Sequence, residues 1–87
     1  MAFRIEMAPR GRFSVFVVSG RIDAQAIAEL RRLFELQTNS CDIVVDLKDV
    51  SLVDREAVRF FVRCETDAVK LDNCTPYIRE WMESEQD

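Results

Sequence analysis

The chain has 87 residues, 48% of them hydrophobic and 32% charged, with a formal net charge of −4 and no histidine. That length holds one domain, the hydrophobic share excludes a wholly disordered chain, and a domain this small buries only about 60% of its unfolded surface, which counts against an enzyme with a deep cleft. The charge is lopsided: residues 1–32 carry six Arg against three acids and residues 33–87 six bases against thirteen acids, a balance that argues against nucleic-acid binding.

Phe3-Arg4-Ile5-Glu6-Met7 alternates apolar and polar residues and predicts an edge strand with one wet face. Residues 8–12 supply the Pro9 and Gly11 of a reverse turn, near which Arg4, Arg10 and Arg12 form either a small basic patch or a solvated hairpin tip. Residues 13–18 follow as a strand apolar on both sides, paired with the first as a hairpin. Gly20 marks a backbone break. Asp23 then caps a helix over residues 24–36 whose inner stripe is Ile27, Leu30, Leu33 and Phe34, with Arg31, Arg32 and Glu35 outside.

After a polar connection at residues 37–40, residues 42–47 read as an inner strand with Ile43, Val45 and Leu47 on one side of the pleat. Residues 48–53 read as a short acidic loop, and Asp54 as the N-cap of a second helix. On that helix Ala57, Phe61, Cys64 and Ala68 form the inner stripe, widened by Val58 and Val62, while Glu56, Arg59, Arg63 and Asp67 lie opposite. A short strand at residues 69–72 precedes a last helix capped by Thr75 with Pro76 at its first position. Tyr77, Ile78, Trp81 and Met82 are its apolar stripe, packed on its own domain in preference to a partner. The acidic residues 83–87 are expected to fray.

The order β-β-α-β-α-β-α predicts an α/β domain built on a four-stranded mixed sheet. Strands two to four are parallel, the first is an antiparallel edge, and both crossover helices share one face. Binding is expected on the rim at the carboxyl ends of the parallel strands, where residues 20–23 meet residues 48–56.

Without histidine, the commonest general base and the usual zinc ligand are both missing. An enzyme reading must rest on carboxylates, thiols or lysines, and Asp46, Asp49 and Asp54, close in sequence at the rim, are candidate Mg²⁺ ligands. Against this, Asp49 reads as a turn residue and Asp54 as a cap. Cys41, Cys64 and Cys74 are odd in number and lack CxxC spacing, which suits reduced buried thiols better than a disulfide framework or a zinc site. Gly11 and Gly20 are the only glycines and neither belongs to a phosphate cradle, so no cofactor is expected. Ser51 and Thr75 are possible phosphate acceptors, with structural readings as loop and cap. No apolar run approaches the roughly 20 residues that span a bilayer, and the first residues lack the apolar core of a signal peptide, so a cytoplasmic protein without direct membrane insertion is expected.

Three segments, SGRIDAQAIAELRRLFE, IVVDLKDVSLVDREAVRFF and VKLDNCTPYIREW, together resemble the STAS domain, named for sulfate transporters and anti-sigma factor antagonists. The likeness spans residues 13–81. It rests most on Gly20 with Asp23 before the first long helix, and on the apolar strand followed by Asp54 before the second. The resemblance implies a non-catalytic, cytoplasmic protein-interaction module of bacterial type, at work in signalling and transcription regulation or in a transporter complex. Its partner would be a kinase-like anti-sigma factor or a transporter ATPase.

In regulated members the second helix opens with an Asp-Ser-Ser/Thr-Gly-like motif in which a hydroxyl is phosphorylated. Here Asp54 is kept, Arg55-Glu56-Ala57 follows, and Glu56 stands as the phosphoacceptor equivalent. Its fixed negative charge near the positive end of the helix dipole is favourable by about 0.3–1 kcal/mol. The family's final strand and helix are expected to be absent or replaced. The expected partner-contact residues are Asp23, Asp54, Arg55, Glu56, Arg59 and Arg63, the arginines facing an acidic partner. The two-ended charge also offers a motive for a homodimer.

Overall fold

A computed structural model describes residues 3–36 and 42–85 of the chain. Cys41 and the polar connection at residues 37–40 lie outside the described residues, as do Gln86 and Asp87.

The first two strands, β1 (Phe3–Arg10) and β2 (Phe13–Ile22), form the expected hairpin, with Ile5 opposite Val18 and Met7 opposite Phe16. Its loop is shorter than residues 8–12, because the strands run on to Arg10 and resume at Phe13. Gly11 takes φ +60° at the first loop position, which a type II′ turn demands and a glycine meets without strain. Pro9 lies within β1, tolerated there because an edge strand has a side without ladder bonds. The basic patch does not form. Arg4 and Arg10 sit near opposite ends of β1, roughly 20 Å apart at strand rise, and Arg4 pairs with Glu6 at 2.7 Å while Arg12 pairs with Asp42 at 3.1 Å.

The remaining elements are α1 (Ala24–Glu35), β3 (Asp42–Val53), α2 (Arg55–Thr66), β4 (Lys70–Asp72) and α3 (Pro76–Glu85). The sheet order is β1-β2-β3-β4, with β2, β3 and β4 parallel and β1 antiparallel at the edge, as the element order predicts. Because the strands advance in one direction, right-handed crossovers put α1 and α2 on one face. The shortest dimension, 20 Å, is that of one sheet under one helix layer. A single apolar cluster between the layers holds Phe16, Ile22, Leu30, Leu47 and Phe61, to which α3 adds Ile78 and Met82. On the opposite face, by alternation along the strands, Val15 and Val44 are register neighbours, each only 5% exposed.

The largest departure from expectation is at residues 48–53, which continue β3 as strand instead of leaving it as a loop. Residues 17–22 of β2 face residues 46–53 of β3, so β3 takes up two extra residues through irregularities between Val17/Ser19 and Gly20/Arg21. Asp49 is therefore a strand residue opposite Ser19, and Gly20 is not a break: it stays in β2 with φ +85° at the second slip. Each slip re-aims the pleat, so Leu47, Val50 and Val53 all contribute to the core at a spacing of three.

Helix faces also shift in detail. Ala26 and Phe60 are buried although neither belongs to the expected stripes, while Leu33 and Phe34 are half-buried. Ala68 is exposed and lies beyond α2 with φ +66°. It is the left-handed residue of a Schellman motif, in which the Val69 N–H donates to the Cys64 carbonyl at 2.8 Å and the Ala68 N–H to the Glu65 carbonyl at 3.3 Å. Val69 sits in that motif, leaving residues 70–72 as β4. On α3, which packs against α2, Tyr77 is 55% exposed and Trp81 half-buried, so Ile78 and Met82 anchor the helix. Residues 83–85 are helical instead of a loose acidic end, and Glu85 pairs with Arg55 and Arg59.

The positive φ at Ala68 carries a Cβ penalty that glycine lacks. Ala68→Gly is expected to raise stability by about 1 kcal/mol, read as a higher urea midpoint with an unchanged slope.

Candidate functional site

Two short segments of the same design meet at the carboxyl rim. Ile22 of β2 and Val53 of β3 are paired in register and buried, and each is followed at once by an aspartate that caps a helix. The Ala26 N–H donates to Asp23 Oδ1 at 3.1 Å and the Ala57 N–H to Asp54 Oδ1 at 2.9 Å. Both alanines are fully buried, so the first turns of α1 and α2 press closely on the sheet. A bond from the Asp54 N–H to the Ile22 carbonyl at 3.3 Å ties the two junctions together. Between them lies a depression of about 240 Å³ lined by Arg21, Leu52 and the two aspartates.

The six expected contact residues fall into three groups about the start of α2. Asp23 and Asp54 spend a carboxylate oxygen each on backbone amides. Arg55 and Arg59 turn toward α3, where their Nε groups lie 3.2 and 3.3 Å from the two carboxylate oxygens of Glu85. Trp81 Nε1 donates to the same carboxylate at 3.4 Å, and Arg79 pairs with Glu65 at 2.9 Å, so α3 is stitched to α2 at two points. Burial pushes the Glu85 carboxyl upward, but the Arg59 hydrogen bond, the Arg55 charge and the indole N–H outweigh it and leave the group below its ordinary value of 4.5.

Glu56 and Arg63 are the exposed remainder, and neither makes a salt bridge among the described residues. With Arg31, Arg59, Phe60 and Asp67 they line an open groove of about 650 Å³ along α2. The groove continues toward α1 as a smaller depression of about 270 Å³ that reaches Phe34 and Val69. Phe60 lies at its base, largely buried and 5.8 Å from Phe34, and the Arg31 guanidinium stands 5.5 Å over the Phe60 ring. Sequence reasoning missed Phe60 and Arg31 as parts of this surface, and Glu85 as the partner of Arg55 and Arg59. Phe60 stands three residues after Ala57, a helical neighbour that the spacing alone would have placed on the same side.

The carboxylates considered for Mg²⁺ are dispersed. Asp46 accepts from the Lys48 N–H at 2.9 Å and from Asn73 Nδ2 at 3.1 Å, Asp49 is in the β3 ladder and Asp54 caps α2. Among the described residues no group of three or more His, Cys, Asp or Glu is placed to hold a metal ion. Cys64 and Cys74 are free thiols. Burial, helped by the nearby Asp67 charge, pushes Cys64 up to about 12, and burial raises Cys74 as well, so neither is poised as a thiolate nucleophile. Ser51 is exposed in β3, and the Thr75 hydroxyl accepts from the Ile78 N–H at 3.4 Å, the geometry of the expected cap. No described helix is long and apolar enough to cross a membrane.

No protein-family model matches this chain, and neither does any curated protein. Among solved structures, the crystal structure of Mglu is similar, with a TM-score of 0.57 and 22% sequence identity over 77% of this chain. The match covers 18% of the Mglu chain, and at that identity the likeness bears on the fold alone.

Replacing Asp54 with alanine removes the cap of α2 and is expected to cost about 1 kcal/mol, with Asp54→Asn close to neutral, both read by urea denaturation. For Glu85 the folded value is depressed, so its contribution is present above the ordinary 4.5 and is lost as pH falls through the lower folded value. The Trp81 indole N–H resonance is therefore expected to titrate with a midpoint below 4.5, and the transition should vanish in Glu85→Gln.

Proposed function

We propose that this chain is a STAS-like protein-interaction module of the anti-sigma factor antagonist type, working in the cytoplasm of a bacterial cell without catalysing a reaction. Its partner is a kinase-like anti-sigma factor or a transporter ATPase. The observation that carries the reading is the outward face of α2, where Glu56, Arg63 and Arg31 make no salt bridge among the described residues and surround the Phe60 groove. A groove rimmed by charges around a small apolar base suits a protein surface that selects its partner by charge. The resemblance of the segments ending in Asp23 and Asp54 to the STAS pattern supports the same reading, and the observed β-β-α-β-α-β-α sheet is compatible with it.

Glu56 holds a permanent charge where regulated members carry a modifiable hydroxyl, which keeps the surface in one electrostatic state. It is only a partial substitute for phosphoserine, whose charge is about −1.5 to −2 with three acceptor oxygens.

The experiment is capture of partners by the tagged protein, followed by affinity measurements on variants. Arg63→Glu is expected to weaken the captured complex about tenfold or more, whereas Arg10→Glu on β1 leaves it within about twofold. Equal affinity for all three proteins rejects the surface. Glu56→Gln tests the fixed charge separately, and unchanged affinity there removes that part of the proposal alone.

A further inference from the structure

Arg55 and Arg59 project from the first turns of α2 toward one point, and what occupies that point is the chain's own Glu85. The site is underused by this occupant. Each guanidinium meets the carboxylate through its Nε alone, at 3.2 and 3.3 Å, and the two arginine side chains remain 67% and 58% exposed, while that of Glu85 is 14% exposed. A guanidinium fork gives two parallel N–H donors to a planar or tetrahedral oxyanion when the geometry allows, and Glu85 receives one from each.

Glu85 is also poorly placed for its own helix. It lies in the last turn of α3, the negative end of the dipole, beside Glu83 and with no basic residue in that turn. The deep anchor of α3 is Met82, one turn earlier, and Glu83 and Ser84 are exposed. Releasing Glu85 therefore disturbs a final turn that contributes little to the core, the kind of local opening that requires the least free energy in a folded domain.

The geometry points to an anion-binding site formed by Arg55, Arg59 and the Trp81 indole N–H, specific for a phosphate monoester and closed in the free protein by the Glu85 carboxylate. A phosphate monoester brings nearly two charges and three acceptor oxygens, enough to engage both guanidinium forks and the indole N–H together. Glu85 is then a tethered competitor that sets the threshold for binding. The inference rests on the partner-facing role of α2 for one point only, namely that the phosphate is borne by a side chain of the partner; the site itself is a property of this chain.

The test is an NMR titration with inorganic phosphate and with N-acetylphosphoserine amide, each at constant ionic strength and neutral pH, following the Nε–H signals of Arg55 and Arg59 and the indole N–H of Trp81. In Glu85→Gln both probes are expected to give saturable shifts of all three signals, about fivefold tighter than in the parent protein, the factor that two exposed ion pairs can hold. A further Arg59→Gln change should abolish saturation. Tighter binding of the phosphoserine probe than of inorganic phosphate supports a side-chain source, and the reverse order assigns the site to free phosphate.

Shifts that are equal and non-saturating in the parent, Glu85→Gln and Glu85→Gln/Arg59→Gln proteins overturn the site. Should Glu85→Gln alter the fold of α3, the parent protein decides: saturable displacement of the Trp81 signal by phosphate but not by chloride upholds the site, and its absence rejects it. A partner whose affinity responds to Arg63→Glu while phosphate fails leaves the proposed function standing without this site.

Discussion

The parallel pairing of β2 with β3 is the constraint on which the rest depends. Two strands of unequal count are brought level at Ile22 and Val53 because β3 absorbs two extra residues on the way. Without that adjustment the strands would end out of step, and the caps that follow, Asp23 and Asp54, would not stand side by side. A one-residue slip would also turn the buried side chains of β3 to the wrong face, so register is held by the core as much as by the ladder. The two buried alanines, Ala26 and Ala57, then let both helices start close to the sheet, which fixes the direction in which α2 leaves the rim.

From that start α2 is divided among three tasks. Its inner face, with Ala57, Val58, Phe61 and Cys64, belongs to the core; one flank, through Arg55 and Arg59, holds the end of α3; the remaining flank, with Glu56, Arg63 and the edge of Phe60, faces outward beside α1. The division follows from helical geometry, since positions 55 and 59 are one turn apart on one side, and positions 56, 60 and 63 fall on the next. Charges that look interchangeable along the sequence thereby acquire different roles. Arg59 borders both flanks, pairing with Glu85 on one side and lining the outward groove on the other.

Of the ion pairs among the described residues, one joins the basic part of the chain to the acidic part. Arg12 from the basic part pairs with Asp42 from the acidic part, and Arg31 stands over Phe60. Because the sheet order follows the chain order, the two parts lie side by side and meet where β2 pairs with β3.

How much of this was legible beforehand varies with the range of the interaction concerned. Local chemistry could be read directly: Asp23 and Asp54 as caps, Thr75 with Pro76 at the start of α3, the alternation of β1, and the order of elements that admits one mixed sheet. Each depends on residues a few positions apart, whose hydrogen bonds and periodicity are written in the chain. The strand at residues 48–53 was not legible, because bulges change the spacing of its buried residues from two to three and imitate a loop; nor was the end of α2, where alanine takes the left-handed place that a glycine would have announced. Glu85 read as part of a fraying acidic end, and only the packing of α3 against α2 brought it within reach of arginines 26 and 30 residues away in the sequence. The sequence by itself determined the elements, their caps and their order; the tertiary structure alone decided register and ion-pair partners, because both arise between segments whose separation no local pattern encodes.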